Sequence, residues 1–134
     1  YDLIDWTHQE KTRLAFELID VDADITHVWV VCLRLMARSK TFYQQVITTS
    51  GCNSFYNGYY LRCQNNLLRM AGGRERCDDA MLFTIRFTAA GITQMITEWI
   101  TDGMAQPPEE MAKLLVESMP AKYLQAHKSQ KSRG

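Results

Sequence analysis

The chain has 134 residues, 46% of them hydrophobic, enough to close one core and too few to expect two independent domains. Fifteen Lys and Arg balance fifteen Asp and Glu, so the total charge offers no phosphate-neutralising surface and the chain alone is expected to bind nucleic acid poorly. The longest apolar run, Val28 to Leu33, is far shorter than the roughly 20 residues that cross a bilayer, and Cys32, Cys52, Cys63 and Cys77 form no C-x-x-C pair, so the expectation is a cytoplasmic protein with no membrane span and no disulfides.

Tyr1-Asp2-Leu3-Ile4-Asp5-Trp6 reads as the interior of a folded sequence, and further chain is expected upstream of it. The first helix is predicted from about Asp2 to Ile19, with Leu3, Ile4, Leu14, Ala15, Leu18 and Ile19 as its apolar positions. Asp20, Asp22 and Asp24 break that pattern and supply carboxylates that can cap the next helix. Ile25, Val28, Trp29, Cys32, Leu35 and Met36 then follow the spacing of one helical face. A short helix from about Lys40 to Thr48 closes on Gly51, and Cys52-Asn53-Ser54 offers a fresh N-cap. Phe55, Tyr59, Arg62, Cys63, Asn66, Leu67 and Met70 trace a further helix that stops at Gly72-Gly73.

The clearest element runs from about Asp78 to Asp102. Met81, Leu82, Ile85, Ala89, Ile92, Met95, Ile96 and Trp99 form one stripe, and Phe83, Phe87 and Ala90 a second. A helix apolar on two faces needs two partners: the domain's own core, and naturally a second copy of the chain, with Gly91 allowing close backbone approach. Asp102-Gly103 ends this helix. Pro107-Pro108-Glu109-Glu110 starts the next, which carries Met111, Leu114, Leu115 and Met119 up to Pro120. Tyr123 and Leu124 suggest a last short turn, and residues 127–134, with Lys128, Lys131 and Arg133, a flexible basic tail. One all-α domain over residues 1–126 is therefore expected, a bundle of five to six helices.

Few patterns point to chemistry. Asp20, Asp22 and Asp24 open like a calcium loop, but Ile25 stands where that loop needs Gly and Val31 where it needs Glu. His8, His27 and His127 have no partner at metal-ligand spacing. No nucleophile elbow, phosphate-binding Gly loop or acid–base carboxylate pair occurs, so neither an enzyme nor a metal or cofactor site is expected. Arg74 and Arg76 near Cys77 make it the best-placed reactive thiol, against the commoner reading of an ordinary cysteine. Aromatic and sulfur-bearing residues concentrate in the middle of the chain: Trp29, Met36, Phe42, Tyr43, Phe55, Tyr56, Tyr59, Tyr60, Cys63, Met70 and Phe87. Each can be plain core. As a group they suit an apolar cavity between helices, for which Trp29, Met36, Phe42, Phe55, Tyr59, Cys63 and Phe87 are the candidate lining, with Tyr59, Tyr60, Arg62 and Asn66 as polar candidates.

Four stretches carry a resemblance: Tyr1-Asp2-Leu3-Ile4-Asp5-Trp6; the run from Lys40 through Phe42-Tyr43 to Gly51-Cys52-Asn53-Ser54-Phe55; the run from Phe87 through Gly91 and Glu98-Trp99 to Gly103-Met104; and Pro108-Glu109-Glu110-Met111-Ala112. Together they resemble the C-terminal domain of the bacterial TetR family, especially regulators of dihydroxyacetone kinase operons. Residues 10–31 and 67–79 match only in pattern, and no helix-turn-helix is present. The resemblance implies that the last two long helices pair with their copies as a four-helix homodimer interface, burying Ile92, Met95, Trp99, Met111, Leu114 and Leu115. No particular ligand carries over from it, since pockets vary widely within the family; the effector expected from the aromatic group is small and largely apolar, and DNA is expected to be bound only through the absent N-terminal domain. The alternative is a protein-interaction module, like a co-activator, without DNA binding.

Overall fold

The computed structural model describes residues 24–133. The helix predicted from Asp2 to Ile19, and the carboxylates Asp20 and Asp22, lie outside the described residues. Six α-helices and one short 3-10 turn make up the described chain, with no strand among the described residues: α1 Ile25–Arg38, α2 Lys40–Ser50, α3 Cys52–Met70, α4 Asp79–Thr101, α5 Pro108–Glu117 and α6 Ala121–Arg133. The all-helical bundle expected from periodicity is what the chain forms.

Local chemistry sets the helix ends. The Asp24 carboxylate accepts from the Thr26 backbone N–H at 3.1 Å and caps α1, and Asp78 caps α4 by accepting from Met81 N–H at 2.8 Å. Gly51, at φ +86°, ends α2 and starts α3 at once, so the expected Asn53 and Ser54 caps are not used; both residues already lie inside α3. After α3 and after α4 the same closure recurs. Gly72 and Gly103 take positive φ, the Gly73 N–H bonds back to Leu68 O at 2.9 Å, and the Met104 N–H bonds back to Trp99 O at 2.7 Å. These are the crossed bonds of a Schellman stop. Pro108 opens α5 as its first residue, where a missing N–H costs nothing.

The most extensive pairings are α3 along α4 and α1 along α5, with α2 lying against both α3 and α4. The buried face of α1 is Ile25, Val28, Trp29, Cys32, Leu33 and Met36. Leu33 takes the fully buried place that the spacing assigned to Leu35, because it follows Trp29 by one full helical step of four. Thr84, Thr88, Thr93 and Thr97 on α4 are buried as well. Each returns its hydroxyl to the carbonyl four residues earlier, at 2.7 to 2.9 Å, which makes a small polar side chain acceptable where it is buried.

The C-terminal segment differs from expectation. In place of a short turn and a tail from residue 127, α6 is helical through Arg133 and docks on the end of α3. Tyr123, which has no exposed surface, donates from its hydroxyl to Leu67 O at 2.8 Å, and the buried His127 ring places Nδ1 3.0 Å from Met70 O. The Arg76 guanidinium donates to Gln130 Oε1 at 3.1 Å. Tyr123 and His127, which meet backbone carbonyls, share one face of α6 with Gln130, which accepts from Arg76, and that spacing is masked by the basic charge of the segment.

Candidate functional site

Two regions hold the residues singled out from the sequence. The first is an aromatic and sulfur-rich centre where α1, α2 and α3 meet. Trp29, Met36, Tyr43, Phe55, Tyr59 and Cys63 are all buried there, and Phe42 packs against them partly covered. Tyr43 meets Phe55 edge-on at 6.3 Å between ring centres, and Phe55 stacks on Tyr59 at 5.6 Å, both favourable ring geometries. The Tyr59 hydroxyl lies 3.8 Å from Met36 Sδ, and the Arg62 guanidinium stands 5.7 Å from the centre of the Tyr59 ring.

Burial governs the chemistry of this centre. Loss of hydration pushes the Cys32 thiol up to about 12 and holds the Cys63 thiol and the Tyr43 and Tyr59 hydroxyls well above their ordinary ranges. These groups are therefore protonated donors at neutral pH, and the thiols are poor nucleophiles. The Trp29 indole N–H is buried with no hydrogen-bond partner among the described residues, an uncommon state for a buried donor. Every Asp and Glu among the described residues is exposed, so none of them supplies an acceptor to this interior.

Cys77 does not carry the activated thiol suggested by its neighbours. Partial burial and the adjacent Asp78 raise its pKa, and Arg74 offsets them incompletely. His27 is exposed on α1 and faces no core.

The second region is the outer side of α4 and α5. An open groove of about 500 Å³ runs between them, lined by Phe87, Ile92, Met95, Trp99, Met111, Leu114 and Leu115 among others. All six residues assigned to a dimer interface fall in this one groove. Ile92, Trp99, Met111 and Leu115 form its buried floor, while Met95 and Leu114, each 45% exposed, stand at its sides. Phe87 was grouped with the central aromatics, but it stands on this outer face, 70% exposed, next to Phe83 at 67%. Its helical phase explains the separation: Phe87 lies two positions from Ile85 and Ala89, which are buried in the core. Gln94, Glu98, Asp102, Gln106 and Ser118 give the groove a polar rim, and the Trp99 indole N–H is held by Gln106 O at 2.9 Å, fixing the loop that joins the two helices.

The described residues thus form a helical bundle with a packed aromatic centre and an open apolar groove between α4 and α5. The family model described as transcriptional regulator C-terminal region, of the TetR type, matches residues 24–120. The chain belongs to the TetR family of transcriptional regulators, of which it is the C-terminal domain. Regulators of this family generally act as dimers that bind DNA and small-molecule effectors. No curated protein and no solved structure matches the chain. Helix α6 lies beyond the matched residues.

Proposed function

We propose that this domain joins two regulator chains through the α4–α5 face and senses a small, largely apolar effector at the aromatic centre between α1, α2 and α3. The observation that carries the reading is the outer face itself. Four of the five large hydrophobic side chains left exposed among the described residues, Phe83, Phe87, Met95 and Leu114, lie on α4 and α5, and Phe87, Met95 and Leu114 line one groove. Exposed apolar surface gathered in one patch with a polar rim has the anatomy of a protein interface.

The effector half of the proposal draws on the centre's composition. Stacked rings supply an apolar wall, and the unpaired Trp29 N–H would be satisfied by an acceptor atom on the incoming molecule. Binding there would change the packing of α1, which lies along α5, so occupancy and the dimer arrangement would be coupled in both directions. With a DNA-reading domain attached to each copy, that coupling would set the separation of the two heads.

Native mass spectrometry and sedimentation of the 134-residue chain test both halves. The expected result is a dimer for the wild type and a folded monomer for Leu114→Asp, since a carboxylate in an apolar interface has no partner. A co-purified small molecule should leave when the centre is blocked by Cys63→Trp. A wild-type chain that stays monomeric at tens of micromolar would falsify the interface, and a molecule retained by Cys63→Trp would place the effector elsewhere.

A further inference from the structure

We infer that in the dimer the two α4 helices cross at Gly91, where their backbones come closest. The inference rests on the proposed α4–α5 interface and adds the point at which the copies meet. Gly91 lies near the midpoint of α4, is exposed, and is not among the glycines with positive φ. A Cβ built on it meets nothing within 4 Å among the described residues. Neither its backbone conformation nor any packing described within the chain calls for glycine, yet glycine is a poorer helix former than alanine at such a position. A close neighbour from outside the chain accounts for it.

The surroundings say what that neighbour is. Phe83, Phe87, Gly91 and Met95 succeed one another at steps of four and form a single ridge whose side chains are large on both sides of a bare point. Ridges of this kind interlock with a copy of themselves when two helices cross at roughly 50°. The bare point lets the backbones touch, while Phe87 of each copy can enter the other's groove over Ile92 and Leu115. A ridge and a groove side by side on one face are self-complementary, as a two-fold interface requires, and the family generally acts as dimers.

Gly58 supplies an internal control. It too lies inside a helix, and its Cβ would also meet nothing within 4 Å, but its neighbours at four residues are Ser54 and Arg62, so no apolar ridge passes through it.

The test is a dilution series by sedimentation equilibrium on the whole chain, comparing wild type, Gly91→Ala, Gly91→Leu and Gly58→Ala, with circular dichroism to confirm that each is helical. Gly91→Ala should weaken the dimer by about tenfold and Gly91→Leu by about a hundredfold, because added methyl groups overpack the crossing. Gly58→Ala should leave the dimer constant unchanged. A Gly91→Ala dimer as tight as wild type, in a protein that Leu114→Asp still dissociates, overturns the crossing point and spares the interface. A wild type monomeric at every concentration overturns both.

Discussion

The two sides of α4 carry similar amounts of apolar side chain and meet different fates. On the inner side Ile85, Ala89, Ile96 and Ile100 are sealed against the rest of the bundle, and Tyr56 and Gln44 tie α3 and α2 to this helix by donating to Ala90 O and Ile100 O at 3.2 and 3.4 Å. On the outer side Phe83, Phe87 and Met95 remain in solvent, the last two lining a groove. The inner side is complementary to elements of its own chain, so its stabilisation is independent of concentration. In the proposed dimer the outer side would gain the same kind of stabilisation from a second chain, and that contribution would depend on concentration.

The largest expected effect breaks the inner side. Ile96→Ala removes a fully buried side chain, and leaves a cavity that the packed neighbours close only in part, at a cost of about 2–5 kcal/mol. Urea unfolding should show this loss equally at low and high protein concentration. A loss that shrinks on dilution would mean that Ile96 works through the dimer, and the division of α4 into two sides would fail.

How far this division was visible beforehand follows from what periodicity records. Two stripes on α4 were legible because a helix of 23 residues samples each face many times. Which stripe stayed open was harder to read, since Phe87 is as apolar as Phe55 and only packing tells a sealed ring from an exposed one. The six residues expected at an interface line one groove because they lie on two helices whose apolar faces the pattern already marked. The buried threonines of α4 escaped notice, since an alternating polar hydroxyl looks like a solvated position until its bond to the preceding turn is seen. Helix α6 was missed for a related reason: its Lys-rich outer face masks Tyr123 and His127, whose partners are backbone carbonyls that no side-chain pattern announces.

Alkaline pH probes the interior without touching the outer face. Cys32 has its pKa raised from 9.0 to about 12 by burial, and Cys63, Tyr43 and Tyr59 shift in the same direction for the same reason. A group whose folded pKa lies above its unfolded one holds its proton more tightly in the native state. Its contribution is therefore complete below the unfolded value and is lost as pH rises toward the folded one. The thermal midpoint should fall between pH 9 and pH 12, with Cys32 contributing on the order of 1.4 kcal/mol per pH unit across that window. The fall should appear alike in wild type and in the monomeric Leu114→Asp variant. If only the wild type responds, the titrating groups sit in the interface and not in the centre.

The smallest effect sharpens the boundary of the inner region at its C-terminal end. Tyr123 is fully buried and donates to Leu67 O, but that carbonyl also accepts from the Ala71 N–H at 3.1 Å as part of the α3 stop. Tyr123→Phe removes one of two donors and keeps the ring, so the carbonyl is not stranded and the cost stays near 1 kcal/mol. His127 and Gln130 still hold the same face of α6 at Met70 O and Arg76. Amide exchange should quicken first in the last turn of α3 and in α6, with the dimer constant unchanged. A change in the dimer constant instead would show that α6 reaches the outer face through the N-terminal half of α4 and belongs, with Phe83 and Phe87, to the surface that needs a second chain.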